Sequence, residues 1–318
     1  MKYLTFKNGD KIPMLGLGTW KAEKGQVHDA IINALKMGYR HFDCAHIYQN
    51  EEEIGQAFQT AFDQGLVKRE DLWITSKLWN NSHNKEEVEP AIRRTLENLQ
   101  LNYLDLYLVH WPIAYKNDFE NPQHRDEYYT PGEVSLGETW SGMIQAKRDG
   151  LAKHIGVSNF NIHQIKQIID ETQEIPEMNQ IESHPYLRQE ELKEHADSTG
   201  YFLTAYKPIG SGGRVTHAME NKKLPNLFEN EVIQKIARDS DATEAQVLLA
   251  WQLQRGIIVI PKSVHKDRQQ ENLNAINIHL NDDQMQEINA LDEHLRFVDG
   301  IAFTENGSPY NLHDIWGE

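Results

Sequence analysis

Four ionisable side chains lie at or just beyond the ends of three short apolar segments: Asp43, Tyr48, Lys77 and His110. Asp43 ends the first segment and Tyr48 follows shortly after it, so both side chains can point into one pocket. A phenol has an ordinary pKa of about 10 and is a poor acid near neutral pH. It needs a nearby cation before it can protonate a substrate quickly. Lys77 and His110 end the other two segments and could complete a site for acid–base chemistry.

Eight short apolar segments alternate with amphipathic helical patterns along the chain. This alternation favours a parallel (β/α)8 barrel over an open doubly wound sheet. In the third helix, Val88, Ile92 and Leu96 keep helical spacing, which predicts one buried face. The predicted strands are residues 14–18, 39–43, 72–77, 104–110, 154–158, 178–182, 201–206 and 257–260. The predicted helices are residues 27–37, 51–62, 85–99, 138–148, 162–171, 189–199, 229–238, 244–254 and 266–275.

The reactive side chains also fall at one end of the predicted strands. In a barrel the C-terminal strand ends share one face, where barrel active sites are built, whereas an open sheet would scatter them. A dinucleotide-binding sheet would also need G-x-G-x-x-G after its first strand, and the run from Gly16 to Lys21 lacks the third glycine. We therefore expect residues 1–318 to form a single α/β domain, a (β/α)8 barrel. The strand-end residues are Asp43, Lys77, His110, Ser158, Asn159, Gln180, Tyr206 and Lys262.

Segments outside the alternation predict additions to the barrel. Residues 1–13 are typical of a β-hairpin cap, with Asn8-Gly9 at its turn. The connections 113–137 and 210–228 are longer than a barrel needs, and long loops over a barrel mouth usually serve function. The tail, residues 296–318, carries several aromatic side chains and is expected to form a loop over the substrate pocket.

The composition of the chain limits its class and its partners. The 318 residues are 39% hydrophobic and 25% charged, which is typical of a soluble globular protein. The formal net charge of −16 argues against general affinity for nucleic acid or anionic membranes. No apolar run is long enough for a bilayer span or a signal peptide, and the single cysteine, Cys44, fits a reducing compartment. We expect a cytoplasmic protein, monomeric or weakly dimeric, with no nucleic-acid, membrane or metal partner.

Five motifs, in order along the chain, carry a family resemblance. They are Asp43-x-Ala45-x-x-Tyr48, the strand-final Lys77, Leu108-Val109-His110-Trp111-Pro112, Gly156-Val157-Ser158-Asn159-Phe160 and Ile260-Pro261-Lys262-Ser263. Together they resemble the aldo-keto reductase superfamily, and in particular its NADPH-dependent aldehyde, aldose and xylose reductases. The resemblance implies that the chain reduces a small or sugar-derived aldehyde to the alcohol, reversibly, with NADPH as cofactor.

The resemblance also implies a role for each of the four ionisable residues. Tyr48 would donate the proton, and Lys77 would lower its pKa because a cation stabilises phenolate. Asp43 would pair with Lys77 and hold it in place; a purely structural buried ion pair is the alternative. His110, in its neutral form, would direct the carbonyl oxygen by a hydrogen bond. His46, by contrast, is interpreted as a bystander.

Neutral hydrogen-bonding side chains at strand ends suit a carboxamide, and the resemblance assigns Ser158, Asn159 and Gln180 to the nicotinamide amide. Tyr206 would stack on the nicotinamide ring. The loop that contains Ser211 is rich in glycine and offers backbone N–H groups to a pyrophosphate, although such loops are as often plain turns. The residues predicted to bind the cofactor are Thr19, Trp20, Ser158, Asn159, Gln180, Tyr206, Ser211, Lys262, Ser263, Arg268, Glu271 and Asn272.

A basic cluster between Lys262 and Arg268 follows the last predicted strand of this acidic chain. It is a candidate anion site, and a solvated charged surface is the alternative. The resemblance places the adenosine 2′-phosphate on Lys262, Ser263 and Arg268, with Glu271 and Asn272 near the adenine. A phosphate dianion gains charge-assisted hydrogen bonds that a ribose hydroxyl cannot, which favours NADPH over NADH.

Three tryptophans resemble the aromatic substrate walls of the family: Trp20, Trp79 and Trp111. The resemblance also places His110 in the substrate site. Core packing is the alternative for each of them. The polar connection 113–137 suggests a hydroxylated substrate such as an aldose or glyceraldehyde. Many relatives carry an acidic residue near Ser211 that closes over the cofactor, and this chain has none before Glu220, so that clamp is missing or rebuilt.

Two other functions are compatible with the same residues. A nucleotide-binding barrel could serve as a regulatory or structural protein without turnover. A lyase or isomerase of phosphorylated sugars could use the Lys262 cluster for the substrate phosphate and Lys77 to form a Schiff base. Trapping of substrate on the protein with borohydride would favour the lyase or isomerase.

Overall fold

The computed structural model describes residues 1–22, 25–210 and 224–317, so Ser211 and the acid-free stretch that follows it lie outside the described residues. Within them, the strands form a two-stranded hairpin and an eight-stranded parallel sheet. The hairpin consists of β1 (Tyr3–Thr5) and β2 (Lys11–Pro13), which pair antiparallel. The sheet consists, in spatial order, of β3 (Leu17–Gly18), β4 (His41–Asp43), β5 (Trp73–Leu78), β6 (Leu104–Val109), β7 (Ala152–Ser158), β8 (Met178–Glu182), β9 (Phe202–Tyr206) and β10 (Ile258–Val259).

The sheet closes on itself between its first and last strands. The Gly16 N–H donates to the Val259 carbonyl at 2.9 Å, and Gly18 pairs in parallel with Lys262. A Cβ atom on Gly18 would lie 2.7 Å from the Ile260 carbonyl oxygen, so glycine at this position lets the two edges approach. The predicted (β/α)8 barrel with its hairpin cap is therefore confirmed.

Helices pack on the outside of the barrel, in the connections between its strands. In α3 (Lys85–Leu99), Val88, Ile92 and Leu96 are buried on one face, as their spacing predicts. The first turn of α3 is closed by the Glu87 carboxylate, which accepts from the Asn84 N–H at 3.2 Å. The other helices are α1 (Val27–Met37), α2 (Glu51–Asp63), α4 (Leu136–Arg148), α5 (Ile162–Thr172), α6 (Glu190–Thr199), α7 (Glu231–Asp239), α8 (Glu244–Gln254), α9 (Lys266–Asn274), α10 (Asp282–Asn289) and α11 (Leu312–Trp316).

The predicted elements are all present, but some of their boundaries differ. Gln189 is predicted to be helical and instead precedes α6 with a φ of 56°, a left-handed conformation in which a helix does not continue. Helices α10 and α11 were not predicted. Both are short and bury one residue each, Ile288 and Ile315, so their sequences carry little periodic signal. No helix in the described part of the chain is long and apolar enough to cross a membrane.

The hairpin covers the N-terminal end of the barrel through Phe6 and Asp10. The Phe6 ring stacks on His154, with 4.0 Å between ring centroids. His154 is completely buried and bridges two carboxylates, Asp10 through Nε2 at 3.0 Å and Glu177 through Nδ1 at 2.9 Å. The bond from His154 holds the pKa of Asp10 below its ordinary value. Burial alone would raise the pKa of Glu177, but bonds from His154 and Lys147 lower it overall.

Replacing His154 by glutamine is expected to lower the free energy of unfolding by about 1–2 kcal/mol at neutral pH, because a single amide group cannot donate to both Asp10, which is about half exposed, and Glu177, which is partly buried. Both carboxyl groups have a lowered pKa in the folded protein, so their contribution is complete above the ordinary carboxyl pKa and is lost as the pH falls through the lowered values. Urea denaturation over a series of pH values should therefore show the two proteins converging in acid. The same difference in unfolding free energy at every pH would mean that the two carboxylates do not depend on His154. The variant His279→Gln, at an exposed histidine, is the control.

The connection 113–137 and the tail cover the C-terminal end of the barrel. Within the connection 113–137, Tyr115 pairs with Tyr128 in an isolated antiparallel bridge. The Tyr310 hydroxyl of the tail accepts from the Ala114 N–H at 3.0 Å, which fastens the tail to this connection. The two segments therefore meet over the face on which the predicted reactive residues lie.

Candidate active site

Lys77 lies at the centre of the predicted catalytic group, on β5, with its side chain fully buried. Its ammonium donates to Asp43 Oδ2 at 2.7 Å, to the Cys44 carbonyl at 2.8 Å and to the Tyr48 hydroxyl at 3.3 Å. Asp43 ends β4, and Tyr48 ends the single helical turn that follows. Because β4 pairs in parallel with β5, the ends of the two strands are neighbours. Three of the four predicted residues thus meet around one cation.

Burial and neighbouring charges shift the pKa values of Lys77 and Tyr48 in opposite directions. Burial alone lowers the pKa of Lys77, but the Asp43 carboxylate and the Tyr48 hydroxyl raise it above its ordinary value, so the ammonium stays charged. Burial raises the pKa of Tyr48 to about 12, although Lys77 acts to lower it. Lys77 therefore acts on the pKa of Tyr48 in the expected direction, and burial has the larger, opposite effect.

His110 directly follows β6, and its backbone N–H donates to the Leu78 carbonyl of β5 at 3.1 Å. Its imidazole stands edge-on to the Tyr48 ring, with 6.0 Å between centroids. Burial and the nearby charge of Lys77 hold the pKa of His110 well below its ordinary value. The imidazole is therefore neutral, and its Nδ1 is buried with no hydrogen-bond partner among the described residues.

Two residues predicted to bind the cofactor also contact Asp43. Gln180 of β8 donates from Nε2 to Asp43 Oδ1 at 2.7 Å. The Thr19 hydroxyl donates to the Asp43 carbonyl oxygen at 2.8 Å. The carboxylate is thus held by Lys77 on one oxygen and by Gln180 on the other, which fixes its orientation.

A chain of hydrogen bonds links the ends of β7, β8 and β9. The Asn159 side-chain amide donates to the His110 carbonyl at 3.0 Å and to the Ser158 hydroxyl at 3.2 Å. The Ser158 hydroxyl donates to the Gln180 carbonyl at 2.9 Å, and the Tyr206 hydroxyl donates to Asn159 Oδ1 at 2.7 Å. The side chains of Ser158, Asn159 and Tyr206 therefore form one connected group beside His110, which is joined to Gln180 through its backbone carbonyl.

A second group of predicted cofactor residues lies between β10 and α9. Lys262 pairs with the end of β3 at the seam of the barrel. Ser263 is buried, and its hydroxyl accepts from the backbone N–H of the residue that precedes α9, at 3.1 Å. Lys262 and Arg268 are exposed. Glu271 and Asn272 lie further along α9, half-buried and buried respectively.

Two of the predicted substrate-wall residues, Trp79 and Trp111, are buried beside His110. Their ring centroids lie 5.3 Å and 6.5 Å from the imidazole. The tail adds Phe303 at 4.5 Å and Trp316 at 5.7 Å from the Trp111 ring. Aromatic rings from the barrel and from the tail thus surround the approach to His110.

Trp20 differs from the other two tryptophans because it is 45% exposed. The Lys21 ammonium lies 4.4 Å from the centre of its ring, and the Lys207 ammonium lies 5.9 Å away. Trp20 therefore stands among cations near the rim of the barrel, rather than in the aromatic group around His110.

Two residues near the site, Glu120 and Glu182, were not predicted from the sequence. His46 Nε2 lies 2.8 Å from Glu120 Oε1, and the Trp79 indole donates to the Glu120 carbonyl at 2.8 Å. The supposed bystander thus ties the turn that carries Tyr48 to the connection 113–137, and no local pattern indicates such a distant pair. The other missed residue is Glu182, buried at the end of β8, whose spacing from Gln180 could have indicated it.

The chain is similar to known proteins over nearly its whole length. Residues 14–293 match the model of the Aldo/keto reductase family. An aldo/keto reductase of Synechocystis sp. is 46% identical over 318 residues, 100% of this chain and 97% of that protein. The aldo-keto reductase family 1 member A1 of Gallus gallus is 43% identical over 309 residues, 96% of this chain and 93% of that protein. The structure of the aldose reductase from Schistosoma japonicum matches with a TM-score of 0.87 at 39% identity, and the match covers 98% of this chain and 99% of that one.

Proposed function

The chain belongs to the aldo/keto reductase family, and we propose that it uses NADPH to reduce an aldehyde to the alcohol. The observation that carries this proposal is the Lys77 ammonium, which is hydrogen-bonded at once to the Asp43 carboxylate and to the Tyr48 hydroxyl. A buried cation beside a phenol fits proton donation to a carbonyl oxygen on which negative charge develops. The aldose reductase name of the similar Schistosoma japonicum structure supports a small or sugar-derived aldehyde as substrate.

Tyr48 is the proposed proton donor. The alkoxide that forms from a carbonyl is a stronger base than a phenolate, so a phenol with a pKa of about 12 still transfers its proton downhill. Lys77 stabilises the phenolate that remains, because its ammonium lies 3.3 Å from the hydroxyl oxygen. Asp43 holds Lys77 in place and is itself held by Gln180.

His110 is proposed to orient the carbonyl group. A neutral imidazole carries one N–H, and its position follows from the surroundings of the ring. Nδ1 is buried with no hydrogen-bond partner among the described residues, and an unpaired N–H there would cost more than an unpaired lone pair. The proton therefore belongs on Nε2, which can donate a hydrogen bond to the substrate oxygen.

The side chains at the ends of β7 to β10 fit a nicotinamide dinucleotide by their chemistry. Asn159 offers an amide to a carboxamide, and Tyr206 offers an aromatic face. Lys262 and Arg268 offer exposed cations to a phosphate dianion, beside the Ser263 hydroxyl. When bound, NADPH supplies the hydride that the carbonyl carbon receives. The other described members of the proposed set are Thr19, Trp20, Ser158, Gln180, Glu271 and Asn272.

The proposed substrate pocket lies between His110 and the tail. Trp79 and Trp111 form its walls on the barrel side, and residues 296–317 close it from above, with Phe303 and Trp316 packed against Trp111. Apolar walls around one polar floor exclude water and turn the carbonyl towards its hydrogen-bond donors. Trp20, near the rim, contributes to the entrance.

A Schiff-base mechanism is less consistent with the surroundings of Lys77. An amine must lose its proton before it attacks a carbonyl, and lysines that do so have a lowered pKa. The pKa of Lys77 is raised, and its ammonium is already bonded to Asp43, the Cys44 carbonyl and Tyr48. These contacts favour the reductase over a sugar-phosphate lyase or isomerase.

The purified protein is therefore expected to oxidise NADPH when glyceraldehyde or xylose is added, as followed by the absorbance of the reduced nicotinamide. The same assay with NADH measures the cofactor preference. Tight binding of NADPH without turnover of any aldehyde in a broad panel would contradict the proposal and would favour a regulatory or structural barrel.

Arg268→Ala is expected to raise the Kd of NADPH about ten- to a hundredfold and to change the Kd of NADH by less than about twofold. The reason is that only NADPH carries the 2′-phosphate that the Arg268 guanidinium is proposed to bind. Quenching of protein fluorescence on titration with each nucleotide measures both constants.

Lys36→Ala is the charge-matched control, because Lys36 is an exposed cation in the last turn of α1. This variant is expected to leave the Kd values of NADPH and NADH unchanged. An equal loss of affinity for NADPH and NADH in Arg268→Ala would mean that Arg268 binds a part that the two nucleotides share. Unchanged affinity for both would remove Arg268 from the proposed site.

A further inference from the structure

Glu182 is a buried carboxylate that the proposed reaction does not use. It ends β8 two residues after Gln180, so both side chains point to the same face of the strand. Gln180 contacts Asp43 at 2.7 Å, and Glu182 therefore lies one level nearer the mouth of the barrel, where it is 2% exposed. A carboxylate withdrawn from water this far requires hydrogen-bond donors around it.

Three donors surround the carboxylate. The Phe297 N–H donates to Oε1 at 2.7 Å, the Val298 N–H donates to Oε2 at 2.8 Å, and His184 Nε2 donates to Oε1 at 2.8 Å. Burial alone would raise the pKa of Glu182, but the His184 bond and the charge of Lys207 lower it overall, so the carboxylate is ionised. Both backbone bonds are therefore charge-assisted, and both reach the first residues of the tail.

The residues held by Glu182 lead directly into the walls of the proposed pocket. Val298 packs against the aromatic group that contains Trp79 and Trp111. Further along the tail, Phe303 and Trp316 pack against Trp111. A shift of the backbone at Val298 would therefore move a pocket wall directly and change the path of the tail that carries the other two.

The tail is not packed against the barrel on every side of this point. A cleft of about 300 Å³ runs beside Glu182, and its lining includes Asn159 on the barrel side and Arg296 and Trp316 on the tail side. Phe297, in contrast, is buried and stacks on His184 at 4.3 Å between centroids. Beside this open space, the two backbone bonds to Glu182 hold the first residues of the tail, while the Tyr310 contact with Ala114 holds it further along.

We propose that Glu182 is a positioning residue for the substrate pocket, whose carboxylate holds the backbone of Phe297 and Val298 and thereby sets where the tail walls stand. The inference rests on the proposed function, because it concerns the pocket of that reaction. Selection among aldehydes by their size would then depend on a side chain that does not itself touch the proposed substrate site.

Glu182→Gln tests the proposal, because glutamine keeps the shape but has one acceptor oxygen and turns an amide N–H₂ towards a backbone N–H. The KM for a bulky aromatic aldehyde such as 4-nitrobenzaldehyde is expected to rise about tenfold or more. The KM for glyceraldehyde, both kcat values and the Kd of NADPH are expected to change by less than about threefold. Glu191→Gln is the matched control, since Glu191 lines the same cleft from α6 and is exposed.

Limited proteolysis gives a readout that does not depend on activity. Trypsin cleavage after Arg296, detected as the fragment 297–318 by mass, is expected to be about tenfold faster in Glu182→Gln than in the unmodified protein or in Glu191→Gln, because the backbone is released. Glu182→Asp is the second variant, to be used if the glutamine variant does not fold. Aspartate keeps the negative charge but is one methylene shorter, so its carboxylate lies further from the tail backbone. Smaller changes in the aromatic-aldehyde KM and in the cleavage rate are therefore expected.

A folded Glu182 variant with unchanged cleavage and unchanged KM for both aldehydes would overturn the proposal. Equal losses for the two aldehydes, for kcat and for NADPH binding would also overturn it, because they would mark Glu182 as a general structural residue. If the unmodified protein reduced no aldehyde, the proposed function would fail, while the cleavage comparison would still decide whether Glu182 holds the tail.

Discussion

Replacing Tyr48 by phenylalanine is expected to lower kcat for aldehyde reduction by about a hundredfold to ten-thousandfold, the usual contribution of a positioned acid. The substitution removes the only atom of the side chain that carries a transferable proton and leaves the ring in place. Lys77 remains bonded to Asp43 and to the Cys44 carbonyl, so the fold and the nucleotide site are expected to survive. The Kd of NADPH should therefore stay within about twofold of its original value.

Single-turnover rates with saturating NADPH measure this loss without interference from product release. Tyr103→Phe is the matched control, because Tyr103 is also a tyrosine beside a lysine, with the Lys153 ammonium 4.3 Å from its ring, but it lies at the other end of the barrel. Retention of more than a tenth of the original rate in Tyr48→Phe would mean that another group donates the proton.

Replacing Lys77 by methionine is expected to remove turnover and also to destabilise the fold, by about 3–5 kcal/mol. Methionine fills the space but leaves the Asp43 carboxylate, 2% exposed, without its cation. The loss of turnover has a separate cause, because the phenolate of Tyr48 would form with no charge to stabilise it. Urea denaturation measures the first effect and single-turnover kinetics the second.

The double variant Asp43→Asn/Lys77→Met separates the two effects. Asparagine removes the unpaired charge and keeps an oxygen that can accept from Gln180, so most of the lost stability should return. Turnover should not return, since the cation beside Tyr48 is still missing. Full stability in the single Lys77→Met variant would contradict the view that Asp43 is a buried charge that depends on this lysine.

The arrangement of the barrel was predictable because its signals are local. Short apolar strands alternating with amphipathic helices specify the order of elements, and parallel strands must bring their C-terminal ends to one face. This was enough to expect Asp43, Lys77 and His110 near one another. Helices α10 and α11 escaped prediction because they bury one residue each and therefore have almost no periodic signal.

The contacts that tune the site were not predictable, because they join distant parts of the chain. The Gln180–Asp43 bond spans 137 residues, and the bonds that the Phe297 and Val298 N–H groups donate to Glu182 span 115 and 116. A pattern of residue types predicts which face of a strand a side chain lies on. It does not predict which backbone N–H group from a distant part of the chain will contact that side chain. The strength with which burial opposes the effect of Lys77 on the pKa of Tyr48 was not predictable for a related reason, since it depends on how much water the folded chain excludes.

Following the hydride itself tests NADPH-dependent reduction of an aldehyde most directly. The purified protein would be given NADPH deuterated at both C4 positions and an aldehyde, and the alcohol product would be analysed by mass spectrometry. We expect one deuterium on the carbinol carbon of each product molecule, and less than about a hundredth as much of this alcohol when the Tyr48→Phe variant replaces the protein for the same time. An alcohol without deuterium, or no alcohol from any aldehyde despite bound NADPH, would contradict this expectation.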